Sequence, residues 1–173
     1  MEILENKAQW EEAYRQGWLA KLQDQGVIDW SLYQHPRNET APGVPGVDLS
    51  RSRLLFITST GAYLKNQQRP FDAPSPTGDY TLRTFPTSSP FSSLNYAHDH
   101  FDHAMINQDP QVALPLRHLQ SLVTAGKIGE LAPSVISFMG YQPDAARVVD
   151  ELLPPLVAAA QAQGVQAALL APV

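Results

Sequence analysis

Between Asn6 and Asp24, Trp10, Tyr14, Trp18 and Leu22 recur every four residues with Leu19 beside them, while Glu11, Glu12, Arg15 and Lys21 fill the other positions. That spacing keeps the rings on one face of a 3.6-residue turn, so the pattern predicts an amphipathic helix with an aromatic stripe. Such a stripe packs on the chain's own core or on a partner subunit. From His35 to Ser52 the periodicity stops, and Pro36, Pro42, Gly43, Pro45 and Gly46 predict an extended connector. Leu54-Leu55-Phe56-Ile57-Thr58 is then a short apolar run that ends in Ser59-Thr60-Gly61, the pattern of a buried central strand entering a tight loop. Thr81 to Phe85 alternates polar and apolar side chains between Gly78 and Pro86, which predicts a second strand near an edge.

Further on, Leu116, Leu119, Leu122 and Val123 share one face between Pro110 and Ala125, predicting a helix with Pro115 in its first turn and Gly126 as its cap. Ser134 to Met139 is a weaker apolar run. A helix is expected from Pro143 to Gly164, kinked or split at Pro154-Pro155 because proline has no N–H to donate and its ring crowds the preceding turn. Val165 to Val173 returns as a strand. A helix that leads into a strand builds parallel sheets, so the expected fold is α/β: a Rossmann-like, open, mostly parallel sheet with flanking helices and the N-terminal amphipathic helix. The expected organisation is an N-terminal helical segment over 1–34, a Pro/Gly-rich connector over 35–52 and an α/β domain over 53–173.

Composition narrows the partners. Twelve Lys and Arg against 17 Asp and Glu give a net charge of -5, and no basic cluster is present to hold a phosphate backbone, so nucleic acid is not expected. No apolar run is long enough to span a membrane and the first residues carry no leader pattern, so a cytoplasmic protein without membrane attachment is expected. The 173 residues include no cysteine, which removes disulfides, thiolate metal sites and any thiol nucleophile from the sequence as written.

His98-Asp99-His100-Phe101-Asp102-His103 is the densest chemical run, matching the H-x-H-x-D-H pattern by which metallo-β-lactamase-type hydrolases hold two zinc ions. Phe91 to Ala97, however, reads as polar and loop-like where that fold needs a buried strand, and His118 alone lies downstream. A hydrolase using His98, His100, Asp102 and His103 stays open, but no metal site is assigned. The same imidazoles and carboxylates form a proton-transfer set near neutral pH, with Asp102 placed to orient a neighbouring imidazole. Ser59-Thr60-Gly61 offers hydroxyls and a close-approaching backbone to a substrate carboxylate, with Lys65 and Arg69 near enough in sequence to neutralise it. Asp79 and Arg83 read as a surface ion pair. Phosphate-loop and dinucleotide glycine patterns are absent.

Thr58 to Lys65 with Gln68-Arg69-Pro70-Phe71-Asp72, then Gly78-Asp79 before Arg83, resemble the selenoprotein B family of glycine, sarcosine, betaine and D-proline reductases. Tyr96 to His103, Asn107 to Pro110, Pro115 to Leu119, Gly126 to Pro133 and Ser137 to Tyr141 follow in the order of that family's later blocks, so the resemblance covers 53–173. It implies reductive cleavage of a carbon–nitrogen bond α to a carbonyl in a small amino acid or amine, by a selenolate or thiolate that a thiol system regenerates. It also implies His100, Asp102 and His103 as proton donors to the leaving amine. Ser59, Thr60, Gly61, Arg83 and His98 become substrate-binding residues, and partner subunits become a reason for the N-terminal aromatic helix. No cofactor is expected in the chain itself; selenocysteine or cysteine is expected immediately after Val173, the sequence being read as truncated there. A non-catalytic scaffold homologue is the other alternative. The codon after Val173 checks this: UGA with an open frame encoding a nearby cysteine is expected, and another stop codon favours the scaffold.

Overall fold

The computed structural model describes residues 3–40, 43, 45–99 and 102–173. Its helices are α1 (Lys7–Tyr14), α2 (Ala20–Gln25), α3 (Ala104–Gln108), α4 (Leu116–Thr124), α5 (Ala145–Arg147) and α6 (Leu153–Ala162). Its strands are β1 (Arg53–Thr58), β2 (Ala62–Leu64), β3 (Arg83–Pro86), β4 (Leu94–Tyr96), β5 (Glu130–Leu131), β6 (Ser134–Ser137) and β7 (Ala167–Ala171).

The apolar run at β1 is continuous because both of its faces are covered. Leu54 and Phe56 pack with Phe85, Leu114, Leu116, Leu119 and Val135 on one side. Leu55 and Ile57 pack with Ile136 and with Leu156, Ala159 and Ala160 of α6 on the other. Each such side chain contributes about 1.5–3 kcal/mol by leaving water. β1 is central: β7 runs parallel to it from Leu54↔Ala167 to Thr58↔Ala171, and β5 and β6 run parallel to it on the opposite flank. β3 lies beyond β6, antiparallel, at the far edge. The fold is therefore α/β with a mixed, mostly parallel sheet. The β5–β6 lane is bulged, since Leu54 to Ile57 on β1 faces Leu131 to Ile136, two residues more, and the excess falls at Ala132-Pro133. Pro133 has no N–H for the ladder, whereas Ala132 N–H still donates to Leu54 O at 2.8 Å.

Four expectations need correction. The segment 91–97 contains β4, which pairs antiparallel with β2; with only three residues its alternation is too short to read. The helix expected from Pro110 breaks into a 3₁₀ turn (Pro110–Val112) and α4, with Pro115 outside the helix as its N-cap. The break expected at Pro154-Pro155 falls just before them: a π-turn, Val148–Leu152, separates α5 from α6, and the two prolines stand in the first turn of α6, where a missing N–H is tolerated.

The fourth correction concerns partner docking through the N-terminal helix. Trp10, Tyr14 and Trp18 stack at centroid distances of 5.1 and 5.5 Å, and Tyr33 meets all three edge-on. A π-turn, Arg15–Leu19, joins α1 to α2 and counters the drift that four-residue spacing accumulates in an α-helix, keeping the rings in line. The ladder packs on Ala145, Ala146 and Val149, and Tyr33 Oη donates to Pro143 O at 2.9 Å. Its aromatic face is spent inside the chain and is not free to seat a partner. Of the connector, the described residues form no element except a 3₁₀ turn at Leu49–Arg51; Pro42 lies outside the described residues. Among the described residues no helix is long and apolar enough to cross a membrane.

Trp18 is fully buried while Trp30 is 51% exposed. Trp18→Ala is expected to cost about 3–5 kcal/mol in urea unfolding, and Trp30→Ala markedly less.

Candidate functional site

Ala171, Thr58, Ser137 and Arg83 stand side by side across four strands. In open α/β sheets, ligands sit beyond the carboxyl ends of the parallel strands, which is where this row lies. Two glycines fold the following loops onto it. Gly61 leaves β1 with φ +66, and a Cβ there would lie 2.4 Å from Ala97 O. Its N–H donates to Phe138 O at 2.9 Å and its carbonyl accepts from Ala97 N at 3.0 Å, pinning the start of the histidine run to the sheet. Gly140 is closer still to the chemistry: a Cβ there would lie 2.6 Å from His98 Nε2 and 3.2 Å from both Ser59 O and Val173 O. His98, Ser59, Gly140 and Val173 thus converge at one mouth.

Buried His98 sits at that mouth. His103 Nε2 lies 2.8 Å from His98 O. A carbonyl only accepts, so Nε2 carries the proton. Asp102 Oδ1, on the carboxylate expected to orient an imidazole, accepts from the N–H of Ala104, the first residue of α3, at 2.8 Å. His100 and Phe101 lie outside the described residues. Among the described residues no three His, Asp or Glu side chains form a metal-holding group.

Ser59 Oγ accepts from Val173 N at 2.9 Å, and Thr60 is fully buried with its N–H on Thr58 Oγ1 at 3.3 Å. The Gly61 N–H is also spent, so the backbone N–H groups of Thr60 and Gly61 are both taken up within the chain. Arg83 does not pair with Asp79. Its Nε and Nη2 donate to Arg69 O and Pro70 O, its Nη1 to Leu82 O and Thr81 Oγ1, and its guanidinium lies 4.4 Å over Phe71. Asp79 accepts from the N–H groups of Asp72 and Thr81 and from the Thr81 hydroxyl. Burial raises its carboxyl, but those bonds outweigh it and hold the group below the usual carboxylate range. Lys65 reaches Ser92 O, away from this mouth, and His118 is exposed on α4.

Sequence reasoning gave no role to Ser137, Gly140 or Tyr96. Ser137 Oγ and Tyr96 Oη are buried without a hydrogen-bond partner among the described residues. A lone Ser or Tyr in a short run carries no signal; the requirement at Gly140 arises only when the His98 loop is folded over it.

The histidine loop and the ends of β1 and β7 share this mouth without a metal cluster among the described residues, and comparison with known proteins gives the arrangement a family. The model of the glycine/sarcosine/betaine reductase selenoprotein B family matches residues 19–172. The chain belongs to that family. The match begins well before 53, so the selenoprotein B pattern includes part of the aromatic helix and the connector. D-proline reductase subunit gamma of Acetoanaerobium sticklandii is 27% identical over 123 residues, 71% of this chain and 49% of that protein. The chain therefore spans about half the length of this relative. No solved structure matches.

Burial pushes the Tyr96 phenol from 10.0 up to about 12. Below pH 10 the phenol is protonated whether the chain is folded or unfolded; as pH rises from 10 towards 12 the unfolded chain ionises first, so stability falls across that window. Tyr96→Phe is expected to make this fall shallower, read from unfolding midpoints between pH 9 and 12, and to leave stability at pH 7 equal or higher because an unpaired buried hydroxyl is removed.

Proposed function

We propose that this chain forms the substrate-binding and proton-delivering part of a reductase that cleaves the carbon–nitrogen bond of a small amino acid or amine. In this reading the sheet is of the open, Rossmann-like kind with its ligand at the carboxyl ends of the strands. The selenolate or thiolate that attacks is not among these residues, which include no cysteine. Family membership and the relative named D-proline reductase subunit gamma support the reaction class. The observation that carries the placement is the convergence of His98, Ser59 and Val173 around Gly140.

The attacking anion bonds to the α-carbon as the carbon–nitrogen bond breaks, and the leaving amine takes a proton. His103, whose Nε2–H is held by His98 O, is the proposed donor of that proton. His100 is proposed as a second donor. Asp102, two residues before the start of α3, is proposed as the carboxylate that works beside them. A dithiol supplies the two electrons that free the product and regenerate the nucleophile. Thr60 and Gly61, through Phe138 and Ala97, hold the floor against which the substrate carboxylate would rest; Arg83 lends positive charge from two strands away. The protein works in the cytoplasm as one subunit of a larger assembly.

Titrating ¹⁵N-labelled protein with glycine, sarcosine, betaine and D-proline tests this. At least one is expected to shift the Gly140 amide and the His98 and His103 side-chain resonances, and Gly140→Ala, whose Cβ displaces His98, is expected to abolish the shift. If all four leave these resonances unmoved, the reading fails.

A further inference from the structure

Beside the row, on the flank of edge strand β3, lies an open groove of about 950 Å³ between the 69–83 loop and the helical segment carrying Arg147, Glu151 and Pro155. Arg69, Phe71, Asp79, Tyr80 and Arg83 face it from the loop side. The mechanism proposed above leaves all but Arg83 unused.

The groove has three arginines and three acids, yet their hydrogen bonds leave it a surplus of donors. Arg147 sits 4.0 Å over the Tyr80 ring and grips Glu151 with two parallel bonds, Nε to Oε1 at 2.7 Å and Nη2 to Oε2 at 2.8 Å. Glu151 is thereby answered, and both Asp79 oxygens are occupied by Thr81 and Asp72 N–H. Asp72 is the remaining acid, and it is exposed to water. On the donor side, Arg147 Nη1 makes no bond among the described residues and one Nη2 N–H of Arg83 is also unspent. The guanidinium of exposed Arg69 has no partner among the described residues. Arg83 and Arg147 are held over aromatic rings and by their hydrogen bonds, so less side-chain entropy remains to be lost when a ligand engages their free edges.

We infer that this groove binds a small organic carboxylate, gripped by Arg69 and Arg147 with Arg83 behind them. A guanidinium edge matches the two oxygens of a carboxylate. Phosphate sites are built on converging backbone N–H groups, and the loop amides here, Asp72 and Thr81, are already consumed by Asp79. Pro70, Leu82 and Pro155 give an organic body apolar walls. The site does not depend on the reductase reading, because Arg69 and Arg147, which grip the ligand, have no part in it; Arg83 alone is shared.

Calorimetric titration with succinate, with uncharged succinamide and with inorganic phosphate, in low-salt buffer, tests it. Succinate is expected to bind saturably, more weakly as KCl is added, and succinamide not at all. Arg69→Gln, at an exposed side chain without partners, is expected to weaken succinate binding several-fold with an unchanged melting temperature; adding Arg147→Lys, which keeps the charge but loses the fork, is expected to reduce it at least tenfold. No saturable succinate binding, equal affinity in the double variant, or phosphate binding more tightly than succinate would each overturn the assignment.

Discussion

Gly61 turns out of β1 with φ +66 and passes so close to Ala97 that a side chain of even one carbon would collide with its carbonyl. An L-residue there would meet backbone strain and a clash together, and neither neighbour can yield without moving β4. This approach lets the β2–β4 pair lie across the carboxyl ends of the sheet, and His98 is carried to the mouth because it follows Ala97 directly. Gly140 repeats the constraint from the other wall, where the bare Cα makes room for the His98 ring. Imidazole placement in this protein is thus set by two positions that bear no chemistry, one supplying a turn and the other supplying space.

The aromatic ladder at the N-terminal end serves the neighbouring groove indirectly. By packing on Ala145, Ala146 and Val149 it buttresses α5, and α5 begins where Asp144 caps the N–H groups of Ala146 and Arg147. Asp144 N–H in turn donates to Tyr80 Oη at 2.8 Å. The ring that supports Arg147 is therefore tied through one capping residue to the helix that the ladder braces. Apolar packing against Ala145 and Ala146 thus braces the short helix from which Arg147 reaches the Tyr80 ring.

The sequence was most legible where one element could be recognised by itself. β1, β3 and β7 and the aromatic helix carry their own periodicity, and their parallel or edge roles follow from length, alternation and the connection between them. What stayed hidden depends on two segments meeting. Leu94-Asn95-Tyr96 becomes a strand only because Ala62-Tyr63-Leu64 offers a ladder, and Ser137 gains interest only beside Thr58 and Arg83. Arg83 itself looked like half of an ion pair with Asp79, since four residues of separation say nothing about the carbonyls of Arg69 and Pro70 that claim its N–H groups. The helix with Pro154-Pro155 shows a different limit: local rules place the break at the prolines, whereas the interruption is a π-turn just before them and α6 keeps Leu156, Ala159 and Ala160 packed on the sheet.

The short bond between Ser59 Oγ and Val173 N joins the rim of the mouth to the edge of the sheet. β7 is the lane with least cover, its Leu170 54% exposed, and edge strands are where native proteins open first. A donor that took the Ser59 oxygen in place of Val173 N–H would loosen this edge, so the stiffness of β7 and the hold on the serine hydroxyl are set by the same hydrogen bond.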